Sequence, residues 1–152
     1  MNQHIEAARA FDAEEIAVIL HGWNTSTNWM PNMHSFQDTI GFANMLIGKG
    51  WVTLVRHTQV VGFLACDGKM IHALYVAPEH YNQGIGSVLL RDAQARFGKL
   101  SLWTFEKNQA AQRFYRRHGF VETARSDGAG NDEKLPDIRY EWHKREAADD
   151  TI

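Results

Sequence analysis

A single cysteine, Cys66, in a chain of 152 residues leaves no partner for an internal disulfide. It ends the apolar run Val60 to Cys66, which reads as a buried, inert thiol rather than a nucleophile, and a reducing cytoplasmic setting fits. No stretch approaches 18 apolar residues, and the amino-terminal Met-Asn-Gln-His-Ile-Glu is polar without an apolar signal core, so neither membrane insertion nor export is expected. Nor does either charge dominate. Sixteen Lys and Arg against eighteen Asp and Glu leave −2, with no long basic stretch, which removes the electrostatic footprint of a nucleic-acid or anionic-membrane binder. The densest cationic cluster, Arg113, Arg116 and Arg117, reads as a solvated helix face that could touch an anionic ligand. Metal chemistry lacks its usual frame: the eight histidines are scattered, and neither a Cys pair nor His-Glu-x-x-His occurs. His4-Ile5-Glu6 has no Pro-Cys-x-x-Cys to complete a zinc deaminase signature, so no metal is expected.

What is present is core material. Hydrophobic residues make up 44% of the chain, with five tryptophans, four tyrosines and eight phenylalanines, enough to fill one domain over residues 1–152. A short strand over 3–9 precedes a helix from Phe11 to Trp23, whose first turn carries Asp12, Glu14 and Glu15. The polar run Asn24 to Asn28 interrupts the pattern before a second helix from about Ser35 to Ile47. Trp51 to Arg56, Val60 to Cys66 and Met70 to Val76, joined by polar turns, read as three successive antiparallel strands. A helix from Gly84 to about Phe97, a strand over Leu100 to Phe105, a helix from Asn108 to His118 and strands over Phe120 to Arg125 and Ile138 to His143 complete the order βααβββαβαββ. The Gly/Asn/Asp-rich stretch 126–137 reads as a loop. The pattern predicts a mixed α/β sheet with helices on both faces.

Chemistry concentrates in two stretches. Residues 71–86, Ile-His-Ala-Leu-Tyr-Val-Ala-Pro-Glu-His-Tyr-Asn-Gln-Gly-Ile-Gly, run a strand through a Pro-marked turn into two glycines that open an amphipathic helix. Without a Cβ at Gly84 and Gly86, backbone can approach an anion, and the free N–H groups of the first helical turn point at it with the dipole's positive end. A dinucleotide fingerprint would need a third small residue where Leu89 stands, and a P-loop would need Gly-Lys-Ser/Thr where the chain has Gly86-Ser87-Val88. The second stretch is Asn108-x-x-Ala111-x-x-Phe114-Tyr115-x-x-x-Gly119-Phe120. Asn108, Ala111 and Tyr115 recur at three and four residues, one helical stripe, and Asn108 also suits the N-cap.

Together the two stretches resemble the coenzyme-A half of a GNAT-type N-acetyltransferase, from about residue 52 to 124. The resemblance implies a mostly antiparallel sheet with a splayed central strand pair, and acetyl-CoA as co-substrate with its pantetheine arm in the gap. The backbone near Tyr75 and Val76 would bond that arm, and the pyrophosphate would rest on Gln83, Gly84, Ile85, Gly86 and Ser87. Tyr81 and Asn82 depart from the family's Gln/Arg-x-x-Gly-x-Gly/Ala, Tyr81 at its first position and Asn82 where glycine is frequent. Asn108, Ala111 and Phe114 would face the cofactor, with Phe114 equally suited to the core. Tyr115 matches the tyrosine beside the thioester sulfur. Full proton transfer from a phenol to a thiolate is uphill by roughly 2 kcal/mol on reference pKa values, so Tyr115 is read mainly as a hydrogen-bond donor.

An alkylammonium acceptor must lose a proton at a cost of roughly 4.6 kcal/mol at pH 7, which favours a base or water relay. His72 is the first candidate, because alternation puts it on the face of Leu74 and Val76. Glu106 and His34 are the others, with His34 and Trp29 on the segment that covers the acceptor site in the family. Trp23, Met30, Met33, Phe36 and Phe42 form either an aromatic acceptor wall or core, and Asp127, Asp132, Glu133 and Asp137 either attract a cationic amine or are solvated. The expected activity is acetyl transfer to a primary amine, of a small molecule or a peptide, by direct attack in a ternary complex. A non-catalytic acyl-CoA-binding module of the same fold is the alternative, and either a monomer or a homodimer suits the chain.

Overall fold

A computed structural model describes residues 3–145. Its elements are β1 (Ile5–Ala7), α1 (Ala13–Ser26), α2 (Phe36–Gly48), β2 (Val52–Arg56), β3 (Val60–Cys66), β4 (Ile71–Val76), α3 (Ile85–Arg96), β5 (Lys99–Phe105), α4 (Gln109–Arg117), β6 (Val121–Ser126) and β7 (Asp137–His143). The order is the one the hydrophobic pattern predicts, with differences at the ends of elements. β1 is three residues long rather than seven, because the chain turns at Ala10–Asp12 into a short 3-10 turn. Phe11 therefore lies on that turn, 70% exposed, and not in α1. At the other end α1 runs past Trp23 into the polar stretch, where the Thr25 and Thr27 hydroxyls bond back to the His21 and Trp23 carbonyls at 3.0 and 2.6 Å and prolong the last turn. Ser35 caps α2 as a capping box with Asp38.

Seven strands fall into two antiparallel sheets, β1-β2-β3-β4 and β5-β7-β6. They meet through one parallel bridge, Met70 with Ser101, and the Ser101 N–H bond to the Lys69 carbonyl at 2.9 Å. Beyond that point β4 and β5 part. All seven residues of β5 pair with β7 and those of β4 except His72 with β3, so the facing edges of β4 and β5 diverge with their backbone groups unspent. A bulge sits where they separate: Ala73 pairs with Ala65 and Ile71 with Cys66, leaving His72 over, and such an insertion bends its strand. This is the splayed pair that the resemblance implies.

Helices cover both faces. α1 and α2 pack Ile16, Ile19, Leu20, Ala43 and Leu46 against Val52, Leu54, Phe63 and Ala73. On the opposite face α3 buries Ile85, Leu89, Leu90 and Ala93, an i, i+4, i+5, i+8 stripe, against Val61, Leu64, Leu100, Phe120 and Tyr140. The amino end of α3 is pressed onto β3 at Gly62, where an added Cβ would stand 2.7 Å from Ile85 Cγ2. Cys66 is buried as expected, and burial raises its thiol pKa, keeping it protonated. Among the described residues no helix is long and apolar enough to cross a membrane, and no group of three His, Cys, Asp or Glu side chains could hold a metal ion.

Candidate active site

Two clefts, one in the gap between β4 and β5 and one at the turn before α3, lie next to each other where Tyr75 is followed by Val76 and Phe114 by Tyr115, and are taken together as a trough. At its phosphate-like end lies a cleft of about 340 Å³ lined by Val76, His80, Tyr81, Asn82, Gly84 to Ser87, Phe114 and Arg117. The local chain explains its shape. Asn82 has φ 65° and Gly84 φ 79°, both left-handed. Asn is the residue that tolerates this conformation best after glycine, so Asn82 keeps the turn that a glycine would make there. Gly84 is the N-cap of α3 and supplies no side-chain acceptor, and the first intrahelical bond is Val88 N–H to Gly84 O at 3.0 Å. The N–H groups of Ile85, Gly86 and Ser87 consequently have no helical acceptor and face the cleft at the positive end of the helix. A Cβ on Gly86 would stand 3.5 Å from Phe114 and 3.7 Å from Val76, both of which line the cleft.

Arg117, read in the sequence as part of a helix face that could touch an anionic ligand, is joined here by two groups that escaped that reading, Arg91 and His118. Arg117 lines this cleft, and Arg91 lines a second concavity that shares Gly84 and Ser87 with it, so two guanidinium groups flank the helix end. His118 meets Ser87 Oγ through Nε2 at 3.0 Å and packs against Phe114, ring centroids 4.7 Å apart. Burial, and then the nearby Arg91 and Arg117, lower the His118 pKa, so the ring is neutral and its Nε2 can accept from Ser87. The Ser87–His118 pair joins residues 31 apart, beyond any local pattern.

Further along, Ile71 to Tyr75 of β4 and Leu102 to Phe105 of β5 enclose a narrow cleft of about 100 Å³ with Trp23, Asn108, Ala111 and Tyr115. The stripe on α4 is therefore at the site. Asn108 does cap α4, its Oδ1 accepting from Ala111 N–H at 3.1 Å, which leaves the amide's NH2 end for the cleft. Tyr115 is 8% exposed, packed against Phe114 and Phe120, lines the cleft, and its hydroxyl has no hydrogen-bond partner among the described residues. Desolvation, with a smaller contribution from Tyr75, pushes its pKa far up; desolvation and then Glu133 raise that of Tyr75 to about 12. Both phenols are neutral donors throughout the physiological range.

The base candidates separate. His72 lines the cleft, but the bulge breaks the alternation expected for it: Ile71, not His72, joins the face of Leu74 and Val76. Its ring instead stacks on Trp51, centroids 4.9 Å apart, and its Nε2 lies 2.8 Å from Asp67 Oδ2. Burial raises the Asp67 pKa, yet the Met70 N–H, His72 and the Lys69 N–H together hold it down at about 2. An ionised Asp67 can only accept, so Nε2 carries a hydrogen, and in the neutral tautomer this leaves the lone pair on Nδ1. Glu106 lies outside this cleft, its carboxylate 4.0 Å from Arg125 among Gln109, Gln112, Arg113 and Arg116. His34 lies with Asn24, Met30, Met33 and Glu133 in a separate small concavity.

The aromatic residues divide likewise. Trp23, Tyr75 and Phe105 line this end of the trough, and Trp29 packs edge-on against Trp23 and Phe105, each with centroids 5.8 Å apart, while Trp23 meets Tyr75 at 5.4 Å. Phe36 packs edge-on against His21, and Phe42 is 40% exposed on α2.

Residues 40–122 match the family described as an acetyltransferase (GNAT) domain. The peptidyl-lysine N-acetyltransferase YiaC of Escherichia coli (strain K12) is 30% identical over 119 residues, covering 74% of this chain and 81% of that protein. In fold, the apo form of YjaB from Escherichia coli superimposes with a TM-score of 0.78 at 21% identity, over 95% of this chain and all of that one. The structure of yncA from Salmonella typhimurium with its cofactor acetyl-CoA gives 0.73 at 20% identity over 96% of each chain.

Proposed function

This chain belongs to the GNAT acetyltransferase family and is an N-acetyltransferase, and from that premise we propose that it carries acetyl from acetyl-CoA to lysine side chains of peptides or proteins. The observation that carries the cofactor half is the trough itself. Free N–H groups of residues 85–87, flanking Arg91 and Arg117, and a passage that a Cβ at Gly86 would narrow suit a pyrophosphate and the thin pantetheine arm behind it. The unpaired edge of β4 near Tyr75 and Val76 and the Asn108 amide are the groups offered to that arm. When bound, acetyl-CoA supplies an activated acyl group on sulfur.

Tyr115 is assigned as the donor at the point where negative charge gathers on the leaving sulfur. Its raised pKa keeps the proton on the phenol, and its hydroxyl has no competing partner among the described residues. His72 is assigned as the proton acceptor for the incoming amine, directly or through a water. In support, Asp67 fixes the tautomer that leaves Nδ1 unprotonated, in the manner of a carboxylate that orients a catalytic imidazole. No residue needs to become acylated. Lysine as the acceptor rests on the named activity of the YiaC relative and on the wall of Trp23, Trp29, Tyr75 and Phe105, which suits a long aliphatic stem. A cytoplasmic location belongs to the same reading, supported by the lone, buried, protonated Cys66.

The test is a panel of lysine peptides with blocked α-amines beside small polyamines and free α-amines. Acetyl-CoA is the donor, and thiol release is followed by mass spectrometry of the product. The proposal expects ε-acetylated peptide to form fastest; turnover confined to small amines would overturn the peptide assignment.

A further inference from the structure

The loop 127–136 between β6 and β7 spends nearly all its polar groups on its own shape. Asp127 Oδ1 accepts from Ala129 N–H at 2.9 Å, and the Asn131 side chain donates to the Leu135 carbonyl at 2.8 Å while accepting from Leu135 N–H at 3.2 Å. Ser126 bonds Asp137 across the loop's base. Lys134 folds back, its Nζ 2.9 Å from the Ala129 carbonyl, and Pro136 accepts from Glu106 N–H at 2.9 Å, tying the loop to the end of β5. Gly128, at φ 88°, lies so near Leu135 that a Cβ would stand 2.4 Å from its carbonyl carbon. Glu133 is different. It is half-buried, makes no hydrogen bond or ion pair among the described residues, and lines the small concavity with Asn24, Met30, Met33 and His34. Met30 in that concavity directly follows Trp29 in the chain, and Trp29 packs on Phe105, which lines the cleft of Tyr115.

We infer that Glu133 is the docking carboxylate for the cationic acceptor: it draws the lysine ammonium in over Met30 and Trp29, from where the side chain passes along the aromatic wall toward Tyr115. A half-buried carboxylate held on a rigid loop without a partner costs stability and gains only when a cation arrives. The field of Glu133 reaches Tyr75, where it adds to the effect of burial in raising the phenol's pKa, so its charge acts within the trough. The adjacent cation that could neutralise it, Lys134, is turned onto Ala129 instead. Trp29 and Trp23 give the ammonium a cation-π surface on its way. Asp132, which is exposed, lacks this enclosure.

This inference rests on the lysine reading above, and steady-state kinetics of the full chain with an α-blocked lysine peptide can separate the two. In Glu133→Gln the peptide KM should rise about tenfold, with kcat and the acetyl-CoA KM little changed. Glu133→Lys should exceed that, and Glu133→Asp should recover part of it. Raising salt should lower kcat/KM steeply in the wild type and weakly in Glu133→Gln, a response that a merely structural residue would not alter. Thiol release from the wild type with an unchanged peptide KM in Glu133→Gln overturns the docking role alone. Equal losses of peptide and acetyl-CoA affinity overturn it too, by showing general damage. A wild type that acetylates no lysine peptide overturns the lysine reading and this role with it.

Discussion

At the phosphate end of the trough, the binding groups belong mainly to one stretch, Asn82 to Ser87, and most are backbone N–H groups fixed by two left-handed residues and a helix start. At the acceptor end they come from α1, the segment that follows it, β4, β5 and the 127–136 loop, and they are side chains. The first is contiguous chain held by covalent geometry. The second exists only after strands have paired and helices have docked, from side chains supplied by separate segments. The difference explains how one fold keeps a donor while acceptors vary.

The largest expected effect belongs to the first end. Gly86→Glu puts a like charge and bulk between Phe114 and Val76, and acetyl-CoA affinity by calorimetry should fall at least about a hundredfold while the thermal melt stays cooperative. Unchanged affinity would remove the cradle. Next comes Gly128→Ala, which forces a Cβ against the Leu135 backbone at a left-handed φ and should cost about 1–3 kcal/mol of stability. Because only the acceptor loop is distorted, peptide KM should rise with acetyl-CoA affinity kept; a parallel loss of both would show the two ends to be coupled. Trp29→Ala should raise peptide KM by about tenfold through lost apolar contact, again sparing acetyl-CoA.

The smallest effect concerns pH. A phenol whose pKa is raised stays protonated, so Tyr115 should cause no fall in kcat up to about pH 10; a decline near pH 9 that disappears in Tyr115→Phe would contradict its burial. On the acid side Asp67 is depressed to about 2, so its bonds contribute above its ordinary value of 3.8 and are lost as pH falls toward 2. Thermal stability should drop across that window, less in Asp67→Asn.

The same contrast governs what could be read beforehand. Element order, the glycine cradle and the α4 stripe follow from local spacing, the splayed pair is implied by the family resemblance alone, and even the odd residue Asn82 has a local reason. His72 illustrates the opposite case. Strict alternation puts it beside Leu74 and Val76, but one residue of bulge, set by how β4 pairs with β3, turns it onto Trp51 and Asp67. Glu106 is drawn off by Arg125, from a different strand, and Glu133 stands apart from its acidic neighbours because Asp127 and Asp137 are used within the loop. Such partnerships between distant segments leave no trace in spacing.

The central claim is that one trough holds acetyl-CoA and presents Tyr115 at its reacting end. It is tested most directly by measuring acetyl-CoA affinity and single-turnover rate side by side in Tyr115→Phe. The account predicts affinity within about twofold of wild type and a rate lower by roughly 10 to 1,000-fold, the loss of one positioned donor; a wild-type rate, or a loss of affinity that accounts for the whole defect, would contradict it.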